Sequence, residues 1–238
     1  MQVSQVTLES VMKMFQSSAA KMKLIGGQLC LDFVNTVDGR GSYSPRPNSA
    51  SANNVLGDKL GNYFDLVEWS RHAGIITVRE SRRLIEKARR NATEARKVFE
   101  RAIALREALY RIFKARLTGR SPRSVDLDTV NQELQRARSH ERLTRADDGF
   151  TWEWVGPAAA LDRTLWSIAH SGAEYLTAGD LSRLRECGGE ECGWLFEDTS
   201  KNRSRQWCHM QDCGNLEKVR RFRARQQRGS KIKRAALR

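Results

Sequence analysis

The sequence predicts an α+β protein: a predominantly α-helical N-terminal domain with a short β-hairpin, then a small C-terminal module with four cysteines that ends in a basic helix. Three observations predict this class. Apolar residues recur at helical spacing over much of residues 62–138. An Asp-Asp-Gly turn separates two short segments with strand-like alternation. Four of the five cysteines lie between residues 187 and 213.

Four helices are predicted between residues 62 and 138. Thr77 and Glu80 have the spacing of a capping box, so one of these helices should begin at about residue 78. Gly119 and Pro122 should end the longest one. The predicted helices span residues 62–73, 78–91, 93–117 and 126–138. The longest has a basic face that includes Arg96, Arg101, Arg106 and Arg111, and a solvated surface is favoured there over a specific anion site.

The N-terminal residues divide into three segments. Residues 1–21 are interpreted as an extension with a short amphipathic stretch. Residues 24–36 are apolar enough to be buried, but their pattern does not distinguish a helix from a strand. Residues 39–58 are rich in Gly, Ser, Asn and Pro, which predicts a long loop.

A β-hairpin and one further helix complete the first domain. Residues 142–146 and 150–155 should form the hairpin, with Trp152 and Trp154 on one face that packs on a helix. Pro157 is favoured as the first residue of the next helix, which should reach about Ala173 and turn Leu165 inward.

Composition restricts the class of partner. The 238 residues are 39% hydrophobic, enough for a packed domain and a small module, and carry a formal net charge of +14. This charge favours a polyanion such as DNA, RNA or an anionic membrane face. The chain has no run of about 18 apolar residues and no signal-peptide pattern, so we expect a cytoplasmic protein without a membrane partner.

The cysteines form two C-x4-C motifs separated by fifteen residues, Cys187 with Cys192 and Cys208 with Cys213. Two short turns that each present two thiolates suit the tetrahedral shell of one Zn²⁺ ion. Four sulfur ligands leave no coordination position for substrate, so the predicted site is structural and chelation should unfold the module. Cys30 is interpreted as a core thiol.

A basic helix should follow the last cysteine, with Asn215 as its N-cap. Leu216, Val219 and Phe222 share one stripe that should pack on the zinc module. Arginines on the other faces suit phosphate, with salt-dependent binding, although base specificity does not follow. The candidate nucleic-acid contacts are Arg220, Arg221, Arg223, Arg225 and Arg228.

The residues around the cysteines resemble the CGNR zinc-finger family, through the segments 192–202 and 205–225. The segment Gly26–Thr36 resembles the opening motif of the ABATE domain that precedes this finger in the family, so the resemblance covers residues 22–226. It implies a bacterial transcription regulator whose finger contacts DNA. Leu216 stands where the family motif has Arg, so a contact made by that arginine would be missing.

Together these features predict a zinc-dependent, DNA-binding transcription regulator whose first domain senses a ligand or mediates assembly. Asp32, Asn35 and Thr36 are the candidate effector contacts, although helix capping or core hydrogen bonding explains them equally well. An RNA-binding or protein-interaction adaptor is the alternative; the residues favour no enzyme and leave the oligomeric state open. The predicted boundaries are 1–21 for the extension, 22–178 for the helical domain, 180–226 for the zinc finger and 227–238 for a disordered basic tail.

Overall fold

The computed structural model describes residues 17–40, 57–157 and 159–235. It confirms the predicted fold class: α-helices predominate, with three short antiparallel strand pairs. The α-helices are α1 (Leu29–Val34), α2 (Tyr63–His72), α3 (Val78–Arg90), α4 (Ala92–Leu117), α5 (Ser124–Arg138), α6 (Arg163–Thr177) and α7 (Asn215–Ala235). The strand pairs are β1 (Val37–Asp38) with β2 (Gly57–Asp58), β3 (Glu141–Ala146) with β4 (Gly149–Trp154), and β5 (Leu184–Glu186) with β6 (Leu195–Glu197).

Helix α4 runs through the core and packs against α1, α2, α3, α5 and α6. The largest side chains of the core, among them Trp69, Phe33 and Phe113, are fully buried. Gly172 of α6 allows a close approach to α4, because a Cβ there would lie 2.8 Å from Leu109 Cδ2. Within the part of the chain that the structure describes, no helix is both long and apolar enough to cross a membrane.

The predicted capping box at the start of α3 is confirmed. The Glu80 amide donates to Thr77 Oγ1 at 3.2 Å, and the Thr77 amide donates to Glu80 Oε2 at 2.8 Å. Arg163, the first residue of α6, lies 2.9 Å from Glu80 Oε1. The cap of one helix therefore also anchors the start of another.

The N-terminal residues are tied to α2. Ser18–Lys21 form a 3₁₀ helix with Ala19 fully buried, and Ser17 Oγ donates to Asp65 Oδ1 at 2.9 Å. The last residues of the predicted extension therefore pack on the domain, and residues 1–16 lie outside the described residues. Of the predicted loop, residues 41–56 also lie outside them, whereas Gly57–Asp58 pairs with Val37–Asp38 as a short strand.

The hairpin is confirmed, with Leu143 opposite Trp152 in its register. Trp154 packs on α6 as predicted, with its ring centroid 5.9 Å from those of Trp166 and His170. The prediction is wrong for Trp152, which is 62% exposed, because α6 covers the base of the hairpin and not its distal part. An apolar face on Leu143, Phe150 and Trp152 consequently remains exposed.

Helix α6 begins six residues later than predicted. Pro157 starts a turn instead, in which its carbonyl accepts from the Ala160 amide at 2.8 Å. The carbonyl of Leu161 accepts from Tyr63 Oη at 2.7 Å, which holds this stretch on α2 and delays the helix to Arg163. Leu165 is buried as predicted.

The prediction of a solvated basic face on α4 is wrong for Arg106, which is buried, and for Arg101, which is partly buried, whereas Arg96 and Arg111 are exposed. Arg101, Arg106 and Arg111 are each paired with carboxylates of other segments. Arg106 donates to both carboxylate oxygens of Asp58, at 2.8 and 2.7 Å, and to Thr36 Oγ1 at 3.1 Å. These arginines therefore hold helices and strands together.

Candidate metal centre and basic helix

The four predicted cysteine ligands come together at the ends of short elements. Cys187 follows β5, Cys192 precedes β6, Cys208 precedes the π-helical turn Met210–Gly214, and Cys213 lies within that turn. Their sulfur atoms all lie within 4.8 Å of one another. Both Cys192 and Cys213 place Sγ 3.6 Å from Cys208 Sγ.

These distances fit zinc. Zn–S bonds of about 2.3 Å in a tetrahedron place neighbouring sulfurs roughly 3.8 Å apart. Gly189 leaves little spare room, since a Cβ there would lie 3.4 Å from Cys213 Sγ. Cys187, Cys192, Cys208 and Cys213 thus form a single structural zinc site.

Crowding of the four thiols also indicates a cation. Hydrogen bonds from the neighbouring thiols lower the pKa of Cys187, whose Sγ also accepts from the Cys208 amide at 3.2 Å. The pKa values of Cys192 and Cys208 are raised, first by their hydrogen bonds to Cys187, and that of Cys213 is raised by burial. All four groups could be thiolates at this spacing only with a neutralising divalent ion among them.

Arg205 organises the backbone around the centre. Its guanidinium donates to the carbonyls of Cys208, Trp207 (3.1 Å) and Ile25 (3.2 Å) and lies 4.2 Å from the Phe196 ring centroid. These contacts join the second cysteine motif to residue 25.

His209 and Cys30 lie outside the group of four cysteine ligands. His209 Nδ1 lies 3.0 Å from Asp212 Oδ2, which also accepts from Lys23 Nζ at 2.6 Å. Cys30 is a buried core thiol, as predicted, and burial raises its pKa to about 12.

The β5–β6 pair shares the core of the helical domain. Leu184 and Leu195 are fully buried in the same apolar cluster as α1, α4 and α6. Lys114 of α4 forms an ion pair with Glu186 of β5. The module is therefore not the separate marginal core that its length suggests.

Asn35 fastens the module to the helical domain by a paired amide contact. Its Nδ2 donates to the Leu195 carbonyl at 2.8 Å, and its Oδ1 accepts from the Leu195 amide at 2.8 Å. Alongside, the Glu197 amide donates to the Gly26 carbonyl at 2.8 Å. The side chain thus substitutes for a neighbouring strand at one residue of β6.

The other two candidate effector contacts also have internal partners. Asp32 Oδ1 accepts from the Gly26 amide at 2.8 Å, and burial raises the pKa of Asp32 to about 6. Thr36 Oγ1 donates to the Phe33 carbonyl at 2.8 Å and accepts from Arg106. These contacts match the core hydrogen-bonding interpretation, and an effector role for the three residues stays a prediction.

Trp194 is a positioning residue that the sequence did not single out. Its indole Nε1 lies 3.1 Å from both the Val37 carbonyl and Asp38 Oδ1, and the Arg40 amide donates to the Cys192 carbonyl at 3.2 Å. In the sequence, only its position two residues after Cys192 could have indicated that Trp194 has a role near the zinc centre. With the Asn35 contact, these bonds bind the first cysteine motif to the chain after α1.

Substituting Asn35 by alanine is expected to lower the free energy of unfolding by about 2 kcal/mol, because the buried amide and carbonyl of Leu195 would both lose their partner. Chemical denaturation of the zinc-loaded protein measures this loss. Asn62→Ala is the matched control; it removes an exposed cap and should cost about 1 kcal/mol. Equal losses in the two variants would contradict the fastening role.

The basic helix begins differently from the prediction. Asn215 is not an N-cap: its backbone is already helical, at φ −69° and ψ −41°, because α7 continues from the π-helical turn. The predicted packing of the apolar stripe on the zinc module is wrong for Val219 and Phe222, whereas Leu216 borders an open cavity that Cys192 and Cys213 also line. Leu216, Val219 and Phe222 are 62%, 47% and 63% exposed.

The candidate nucleic-acid residues on α7 fall into two groups. Arg220 lies 3.0 Å from Glu190 Oε2, and Arg221 lies 3.0 Å from Glu217 Oε1. Arg223 and Arg225 are exposed and form no ion pair with any residue the structure describes. The side chain of Arg228 lies outside the described residues. The backbone of residues 227–235 is helical as far as Ala235, and disorder of the free tail stays a prediction.

The fold and the site together define a helical protein with a C-terminal four-cysteine zinc centre. Residues 27–179 match the ABATE family, described as "Putative stress-induced transcription regulator", and residues 183–226 match the CGNR zinc finger. The first match spans more than half of the chain, so the chain belongs to the ABATE family and carries a CGNR zinc finger. This confirms the resemblance found in the sequence. No curated protein matches the chain.

Proposed function

We propose that this protein is a zinc-dependent transcription regulator in which α7 contacts DNA and the helical domain senses a ligand or mediates assembly. The observation that carries the proposal is the continuous passage from the zinc centre into a helix with exposed arginines. Zinc would fix where the helix leaves the module, and the arginines would supply the attraction to phosphate.

Charge distribution supports a polyanionic partner. The chain has 42 Lys and Arg against 28 Asp and Glu. Several arginines of the helical domain form internal ion pairs, among them Arg101, Arg106 and Arg163. Arg223 and Arg225 on α7 are exposed and form no ion pair with any described residue. Unpaired positive charge is thus present on the helix that follows the zinc centre, and exposed arginines of α3 such as Arg82, Arg83 and Arg89 add further positive charge on the helical domain.

A cleft in the helical domain supports the sensing role. It has a volume of about 320 Å³ and lies between α3, α4 and residues 160–162. Lys87, Glu94, Arg101 and Asp162 line it beside apolar Val98. Charges of both signs suit a small polar effector, and the cleft is a separate candidate from the buried Asp32, Asn35 and Thr36.

We propose no catalytic role for the zinc centre, since its four protein sulfurs would complete the tetrahedral shell. Such a shell keeps no position for water or substrate. The exposed elements of the module would instead act by binding.

Substituting Arg223 and Arg225 together by glutamine is expected to weaken duplex DNA binding at about physiological salt at least tenfold. It should also reduce the slope of log affinity against log salt by about 2, since each lost phosphate contact removes about 0.9. Fluorescence anisotropy with a labelled random-sequence duplex, over a salt series, gives both quantities.

The matched control is Arg96→Gln with Lys97→Gln, which removes the same charge from exposed positions of α4. It should leave the slope nearly unchanged. Equal weakening by both double variants would contradict a dedicated contact by α7. Tighter binding of structured RNA than of duplex DNA by the unaltered protein would favour the adaptor function.

A further inference from the structure

Helix α7 carries an uncovered apolar strip formed by Leu216, Val219 and Phe222. These residues are spaced by three and therefore follow one another along a single helix face. Each of the three is about half or more exposed. Isolated apolar residues are common on surfaces, but three in succession on one helix face indicate a binding surface.

Most contacts of α7 with the zinc module come from side chains outside the strip. Arg220 pairs with Glu190, and the Arg221 guanidinium lies 6.0 Å from the Trp207 ring centroid. Leu216, at the start of the strip, borders an open cavity that Cys192 and Cys213 also line. At about 100° per residue, Val219 and Phe222 lie roughly 100° or more from Arg220 around the helix, so the strip turns away from the zinc module beyond Leu216.

The positive charges beside the strip indicate which kind of partner it can bind. Lys218 and Arg225 lie on the edge beside Phe222, and Arg223 lies one turn beyond Val219 in line with the strip, all exposed. A second copy of the helix would bring the same positive charges face to face, which opposes pairing. Duplex DNA offers two phosphate rows that flank the major groove, and that groove admits an α-helix.

Because the strip is apolar, it should contact apolar groups on the base edges in the major groove. Among the groups exposed on base edges in the major groove, the C5 methyl of thymine is apolar, and side chains such as Phe contact it. Leu, Val and Phe have no hydrogen-bonding group with which to read the polar edges of the bases.

We propose that Leu216, Val219 and Phe222 lie in the major groove of duplex DNA and contact thymine methyl groups, while the flanking Lys218, Arg223 and Arg225 contact phosphates. The inference rests on the proposed DNA-binding function. It adds a source of sequence preference that phosphate contacts alone do not supply.

The test uses the full-length zinc-loaded protein. Duplexes enriched from a random pool at about physiological salt are resynthesised with uracil in place of thymine, which removes only the methyl groups. Affinity should fall about fourfold for each methyl contacted, because burial of a methyl-sized group is worth about 0.8 kcal/mol. The triple variant Leu216→Gln, Val219→Gln, Phe222→Gln keeps the net charge and should bind both forms equally.

The control variant is Phe150→Gln, which removes an exposed aromatic side chain from the hairpin and should keep the full thymine preference. Equal affinity of the unaltered protein for both forms, or no enriched sequence, would overturn the inference. Salt-dependent DNA binding in that case would leave the proposed function intact, whereas no DNA binding at all would remove the function itself. Concentration-dependent dimers in sedimentation that are lost in the triple variant, without a thymine preference, would assign the strip to self-association and overturn the inference.

Discussion

Cys208→Ser is expected to abolish stoichiometric zinc binding and to lower the free energy of unfolding by about 5 kcal/mol or more. Cys208 is buried, and its sulfur lies 3.6 Å from those of both Cys192 and Cys213. Structural zinc in small fingers contributes on the order of 10 kcal/mol to folding. Here part of the module packs into the helical core and should retain structure, so a smaller loss is expected.

The residues that lose protection in Cys208→Ser are as informative as the size of the stability loss. Hydrogen exchange should show faster exchange in residues 187–214 and also in residues 25–38, because the cysteine motifs bond to Ile25, Val37 and Arg40. Zinc content by mass spectrometry and the same exchange experiment on chelated protein measure both effects. Cys30→Ala removes a buried thiol outside the centre and should keep one zinc. Faster exchange confined to residues 187–214 would contradict the coupling.

Arg106→Met is expected to lower the free energy of unfolding by about 3 kcal/mol, at the lower end for a broken buried ion pair. Arg106 is 3% exposed and pairs with Asp58 through two hydrogen bonds, while its Nε lies 3.1 Å from Glu107 Oε1. We expect the smaller loss of stability because the Asp58 side chain is 36% exposed and Glu107 keeps its pair with Arg40. Methionine preserves much of the side-chain volume, so the loss reports the ionic contacts.

Urea denaturation of the zinc-loaded protein provides the measurement. The control is Arg96→Met on the same helix, where the side chain is 81% exposed and should matter by less than about 0.5 kcal/mol. A comparable loss in both variants would show that the Arg106 contacts contribute little. Restoration by Arg106→Lys would also contradict the argument, because lysine cannot form the paired contact with Asp58.

Short-range signals in the sequence predicted much of the fold. The Thr77 and Glu80 capping box acts within one helical turn, and the hairpin turn at residues 147–149 is also local, so both were correct. The two cysteine motifs were equally readable because a tetrahedral shell restricts their spacing.

The sequence-based predictions were wrong where contacts between distant residues determine the local structure. Pro157 satisfies the local preference for a helix start, yet the bond from Tyr63 to Leu161 holds that stretch in turns. The strip on α7 has the spacing of a buried face, but its three side chains are about half or more exposed. Periodicity identifies a face without identifying what, if anything, covers it.

The Asn35 contact also determines which fragments of this protein can fold separately. A fragment cut at residues 183–226 would leave the amide and carbonyl of Leu195 unpaired and expose the apolar side chains of Leu184 and Leu195. Grafting this finger onto another carrier would therefore require residues 25–38 to be transplanted with it, although they come from the other end of the chain. The boundary visible in the sequence separates two family matches, but not two units that could be exchanged independently.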